Sequence, residues 1–233
     1  FTSNRHCDRY GGSVMPRKTN NKILKEHLIL CEGRDEQEFL IQFLESDTLS
    51  FLPGFSNDIQ VMDFGGNSEL LKHLTILKKM DGFEKIKSLL VVRDAETNAE
   101  TACKEIQVAL QRNDLPVPET PCCWKGETLR VGFVLFPQCD STLRNGTLED
   151  LCLSILSDTS ADNTLKHIDK FLANLEEYRG KPFSRIFKAK LHTYFSVHND
   201  YVSLKIGEAA KAGAFDWNNV ALNPLKNFIQ EIL

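Results

Sequence analysis

The 233-residue chain has no run approaching the roughly 18 consecutive apolar residues of a membrane span. Phe1 to Thr19 is polar and contains glycine, so it has no apolar core of a secretory signal. Seven cysteines are present, Cys7, Cys31, Cys103, Cys122, Cys123, Cys139 and Cys152, but no CxxC pair, which excludes a zinc ribbon or finger. An odd number, several in expected strands or helices, fits reduced thiols in a cytoplasmic protein. Positive charge is not in excess either. Lys plus Arg number 28 against 32 Asp plus Glu, a net charge of −4. That excludes a globally basic, charge-driven nucleic-acid binder and leaves room for a local basic groove. The chain has no internal repeat and no low-complexity run. Gly65-Gly66 is not followed by a phosphate-loop lysine in register, so it reads as a plain loop ahead of a phosphate cradle.

What is present is an alternation of apolar strands and amphipathic helices. His27 to Cys31 reads as a buried strand and Arg34 to Glu45 as a helix, with Phe39, Leu40, Phe43 and Leu44 on one stripe. Ile59 to Phe64 is a second strand, followed by a helix carrying Leu70, Leu71, Leu74 and Leu77. Ser88 to Arg93 is a third strand, followed by a helix with Ala99, Ala102, Cys103, Ile106 and Leu110 inward. A long loop with Pro116, Pro118 and Pro121 has room for a hairpin or an insertion. Val131 to Phe136 is a fourth strand, and a helix beyond Gly146-Thr147 turns Leu148, Leu151, Cys152 and Ile155 inward. The alternation implies an α/β, Rossmann-like fold: a mostly parallel sheet of about four strands with helices on both faces. Residues 23–157 form the expected core. Residues 158–233 form a helical C-terminal extension, with stripes Ile168, Phe171, Leu172, Leu175 and Phe183, Phe187, Tyr194. Residues 1–22 are expected to be a flexible tail. Met15-Pro16-Arg17-Lys18 looks like a natural start, the preceding fourteen residues being vector-derived or an upstream extension.

Acidic residues follow the strands. Glu32-Gly33 ends the first, and Asp94-Ala95-Glu96 ends the third. Ligands of open α/β sheets bind at the carboxyl ends of strands. Carboxylates clustered there repel one another unless a cation lies between them, and oxygen donors suit Mg²⁺ or Mn²⁺. Glu36, in the first turn of the following helix, can point back toward Glu32. Asp94 and Glu96, two apart on an extended segment, face one side and can reach one ion. Lys78 and Lys79, with Lys85 and Lys87, form a basic patch suited either to a nucleic-acid backbone or to plain solvated surface.

These motifs resemble the Toprim domain, which pairs a glutamate after its first strand with a D-x-D motif after a later one. Glu32-Gly33-Arg34-Asp35-Glu36 resembles the E-G-x-x-E form of the overcoming-lysogenization-defect nucleases and their stand-alone bacterial relatives. Asn145-Gly146-Thr147-Leu148-Glu149-Asp150-Leu151 resembles their later acidic motif. Here the second motif is Asp94-Ala95-Glu96, D-x-E in place of D-x-D. The resemblance implies a metal-dependent nuclease or related phosphodiester-processing protein, probing nucleic acid with two ions. Glu32, Asp94 and Glu96 make one metal site, and Glu36 and Glu149 help make the second. The resemblance also implies a catalytic lysine after the acidic helix, with Glu32 acting in catalysis as well as binding; Lys190, three residues after Phe187 and four before Tyr194 on the apolar stripe, where a lysine snorkels or is aimed at an anion, is preferred to Lys188 on the more polar side. DNA ahead of RNA is the implied substrate. The alternative is a conditional subunit whose ATPase is separately encoded, in phage defence or DNA repair, with self-association open and no membrane partner. A topoisomerase tyrosine module and a primase zinc module are both missing from this sequence.

Overall fold

The computed structural model describes residues 22–46, 55–157 and 163–232. The expected tail, residues 1–22, lies outside these apart from Lys22. Four strands form one all-parallel sheet in the order β2-β1-β3-β4. They are β1 (His27–Cys31), β2 (Ile59–Asp63), β3 (Ser88–Asp94) and β4 (Arg130–Phe136). Strands β1 and β3 are buried on both faces, as their unbroken apolar runs require in a helix-covered parallel sheet.

Side chains alternate between two cores. On one face Leu28, Leu30, Leu89, Val91, Val131, Phe133 and Leu135 meet α3 (Leu70–Leu77) and α4 (Ala99–Arg112). On the other, Ile29, Cys31, Leu90, Val92, Val134 and Phe136 meet α1 (Arg34–Glu45) and α5 (Leu148–Ser157). A one-turn helix, α2 (Phe55–Asp58), leads into β2. Burying each large aliphatic or aromatic side chain contributes about 1.5–3 kcal/mol, so the two layers fix the strand register firmly.

The C-terminal helices are α6 (Thr164–Arg179), α7 (Ile186–Val197), α8 (Ile206–Lys211) and α9 (Asn223–Gln230). They extend the second core and share it with α1 and α5: Leu191, Phe195, Phe215, Leu225 and Ile229 are all buried there. Helix α8 packs tightly on α1. A Cβ on Gly207 would lie 2.6 Å from the Glu38 Cβ, and the Gly207 N–H donates to Asp35 Oδ1 at 3.2 Å. Two expected inward residues differ. Phe171 and Phe187 are about half exposed, because α6 rests on α7 at the periphery and α7 turns Phe187 outward. The proline-containing loop carries an antiparallel Lys125–Val131 bridge, and its Trp124 stacks on Phe228 at 4.9 Å between ring centroids. Cys122-Cys123-Trp124 is thus anchored by packing. No helix among the described residues is long and apolar enough to cross a membrane.

Candidate metal centre

Strand β2 lies on one side of β1 and β3 on the other, so the chain reverses its direction of sheet growth between β1 and β3. The crevice beyond the carboxyl ends of two such strands is where open α/β sheets bind ligands. A cleft of about 730 Å³ occupies this position. All five expected metal ligands, Glu32, Glu36, Asp94, Glu96 and Glu149, line it, together with Arg34, Arg185 and Lys188. Its floor is acidic, and its rim at α1 and the start of α7 is basic.

The register decides how the carboxylates enter. Cys31 pairs with Val92, so Glu32 comes level with Arg93, and Asp94 lies one residue further out. Glu32 continues the alternation of Leu28 and Leu30 toward the α4 side. There its Oε2 lies 3.9 Å from Arg93 Nε, too far for a hydrogen bond. Asp94 follows Leu90 and Val92 to the α5 side, where its Oδ1 accepts the Leu148 N–H at 2.9 Å. The two residues therefore leave neighbouring strands on opposite faces of the sheet edge.

Glu96 is not on an extended segment. Its φ is +54°, and it exchanges two 2.8 Å backbone hydrogen bonds with Gly146. The expected alternation with Asp94 is therefore replaced by a left-handed turn that carries Glu96 to the same cleft. A left-handed non-glycine residue costs on the order of 1–3 kcal/mol and persists only where its surroundings enforce it. Here a second tie enforces it: Asn145 Oδ1 accepts the Ala99 N–H at 2.9 Å. The loops after β3 and before α5 are thereby lashed together beneath the site.

Glu36 folds back over the start of α1, as expected. A Cβ on Gly33 would lie 2.9 Å from Glu36 Oε2. Gly33 itself has extended backbone (φ −146°) that any residue adopts, so the space taken by Glu36, and not a turn, is what a side chain here would disturb. Gly66 also borders the cleft, but its N–H is committed to Glu32 O at 2.9 Å, which fits the plain-loop reading. Glu149 bonds to Lys188 Nζ at 3.2 Å. Asp150 accepts the Thr147 N–H at 2.9 Å and its hydroxyl at 3.1 Å, and so caps α5.

Proton affinities reflect crowding. Burial, with repulsion from Glu36 and Glu96, lifts Glu32 to about 7 against the pull of Arg93 and the Asp94 N–H. Burial raises Asp94 well above the carboxylate range, and Glu36, Glu32 and Glu149 add to it. Glu36 is raised by burial and by Asp35 and Glu149. Burial also acts on Glu149, but the Thr147 hydroxyl, its own N–H and Lys188 outweigh it and hold Glu149 below the usual value.

The donor set is one of hard oxygens, and Glu32 Oε2 is buried with no hydrogen-bond partner. Both features fit a hard divalent cation. Yet among the described residues no three His, Cys, Asp or Glu side chains are drawn close enough together to hold an ion. The Leu148 N–H holds Asp94 and Lys188 holds Glu149, while Glu32 leaves the sheet on the other face.

The lysines divide. Lys188 stands on the cleft wall, whereas Lys190, the one favoured from the sequence, is turned away and paired with Asp169 at 2.7 Å. Lys188 is therefore the one at the cleft: two residues' difference on a helix rotates the side chain by about 200°. Lys78 and Lys79 follow α3 at the amino-terminal edge of the sheet, opposite the cleft. Lys78 bonds to Asn113 O and pairs with Asp114, as a fold contact does. Two features were missed in the sequence. Arg93 sits inside an apolar strand run and looks like a strand-end cation until the register places it against Glu32. Arg185 carries no motif and reaches the rim only through tertiary packing.

The chain belongs to the DUF3226 family, described as a protein of unknown function, over residues 26–233. No curated protein and no solved structure matches it.

Proposed function

We propose that this member of the DUF3226 family is a Toprim-like, Mg²⁺- or Mn²⁺-dependent phosphodiester-processing protein, a nuclease acting on DNA ahead of RNA. The single observation that carries the reading is the convergence of five carboxylates from β1, α1, β3, the turn after it and α5 on one switch-point cleft with a basic rim. Acidic floors suit cations and basic rims suit phosphate oxygens, and phosphodiester chemistry needs both.

Glu32, Asp94 and Glu96 would hold one ion, and Glu36 and Glu149 the second. When bound, the metal supplies Lewis-acid polarisation of the phosphate and an activated water. The chain's own groups do the rest. Lys188 and Arg185 orient phosphate oxygens and balance charge that builds on them. Glu32, as a carboxylate beside the ion, would accept a hydrogen bond from the attacking water and orient it. The Asp94–Leu148 bond and the Glu96–Gly146 bridge keep the floor rigid. The free thiols of the six described cysteines suit the cytoplasm.

A second reading has its own support. Glu149 is paired with Lys188 and no three carboxylates among the described residues close on one point, so the arrangement needs rearranging before it can grip an ion. A conditional subunit activated by a separately encoded ATPase has this character. Purified protein titrated with Mn²⁺ over DNA and RNA substrates tests both. Cleavage by wild type that vanishes in Asp94→Ala supports the first reading. Cleavage only with an ATPase added supports the second, and cleavage unchanged by Asp94→Ala contradicts both.

A further inference from the structure

Arg93 is 3% exposed, a buried cation beside the site's Glu32. It points to the α4 side of the sheet and lies between two carboxylates on different elements. Its Nη2 bonds Glu105 Oε2 of α4 at 2.6 Å, while its Nε faces Glu32 Oε2 at 3.9 Å. Those last two atoms are both buried and both lack a hydrogen-bond partner. A movement of about 1 Å toward Glu32 would complete that bond. Glu105, which bonds the other end of the guanidinium, has a side chain 55% exposed and borders a second cleft of about 710 Å³ between α3 and α4.

We propose that Arg93 is a positioning residue for Glu32, and that Glu105, on the far face of the sheet, sets how much of the Arg93 charge reaches the metal floor. With Glu105 in place, Arg93 is divided between two anions and Glu32 keeps an oxygen free for a cation. Once Glu105 is lost, Arg93 closes on Glu32, occupies that oxygen and competes with the ion. The surface of α4 is thereby coupled through the sheet to the site. The metal half of this inference rests on the proposed function; the Glu32–Arg93–Glu105 linkage does not.

Two measurements keep these halves separable. In the first, Mn²⁺ affinity is measured for wild type, Glu105→Gln and Glu100→Gln, the last an exposed control on the same helix. The expected result is at least fivefold weaker binding for Glu105→Gln and none of that loss for Glu100→Gln. Equal affinity in all three overturns the control by Glu105. In the second, unfolding equilibria are measured in chelator for Glu32→Gln, Glu105→Gln and the double variant. Either single change leaves Arg93 one anion, whereas the double change leaves a buried cation with none. The double variant is therefore expected to lose at least threefold more in its unfolding constant than the two singles combined. Strict additivity overturns the linkage. Non-additivity in a protein that binds no Mn²⁺ keeps the linkage and refutes the metal reading.

Discussion

The two ends of the sheet treat charge differently. At the amino-terminal edge, Lys87 pairs with Glu26 and Lys78 with Asp114, each pair with at least one partner largely in water. Such pairs are worth about 0–1 kcal/mol and serve only the fold. At the carboxyl edge, Glu32, Glu36, Asp94 and Glu149 are sunk in a cleft, and burial raises the proton affinity of the first three. Burying like charges together costs stability, which a fold retains where something else is to be bound. The contrast marks the carboxyl edge as the candidate site by its unbalanced charge, not by the count of charges.

The contrast can be broken most completely at Asp94. Asp94→Asn keeps the shape, and its Oδ1 can still accept the Leu148 N–H, so the fold should persist while Mn²⁺-dependent cleavage is abolished; circular dichroism beside a cleavage assay checks both. Next comes the lysine pair. Lys188→Met should lower turnover on the order of 100-fold, as for loss of one charge-stabilising donor. Lys190→Met should change it less than threefold, and equal losses would mean that the cleft wall does not distinguish them.

The third effect is one of pH. Glu32 holds its proton more tightly in the fold than in the unfolded chain, with about 7 against an ordinary 4.5. The folded state therefore binds more protons between those values, and metal-free stability falls as pH rises through that window. Raising pH from about 4.5 to 7.5 should lower the melting temperature of wild type on the order of 5 °C more than that of Glu32→Gln, which lacks this titration, and Mn²⁺ should restore the wild-type loss at the upper end. Calorimetry with and without chelator reads this directly. The smallest effect is expected at Gly33. Gly33→Ala pushes against Glu36 Oε2 and should weaken the second Mn²⁺ site a few-fold while leaving the first intact. Lys79→Gln at the other edge should alter neither.

The strands and helices were legible in the sequence because parallel strands buried on both faces are unbroken apolar runs, and helices such as Arg34–Glu45 carry a clear stripe. Membership of Glu32, Glu36, Asp94, Glu96 and Glu149 in one cleft was legible too, since strand ends and the first turns of the helices that follow them place side chains at one edge. Their mutual geometry was not. The Cys31–Val92 register, which sets Glu32 against Arg93 and sends Asp94 to the other face, comes from packing between strands far apart in sequence. The left-handed turn at Glu96 depends on Gly146, fifty residues later. Lys188 and Lys190 differ only in the rotation of α7 on the second core, which a stripe containing the outward Phe187 misjudged.

Crystals soaked in Mn²⁺ and measured at its absorption edge test the central claim most directly. The account predicts an anomalous peak in the switch-point cleft, at roughly 2.0–2.3 Å from carboxylate oxygens that include Glu32 and Asp94, with Glu32 drawn away from Arg93. A cleft without a peak at saturating Mn²⁺, its Glu32–Arg93 and Glu149–Lys188 pairs unchanged, would contradict it.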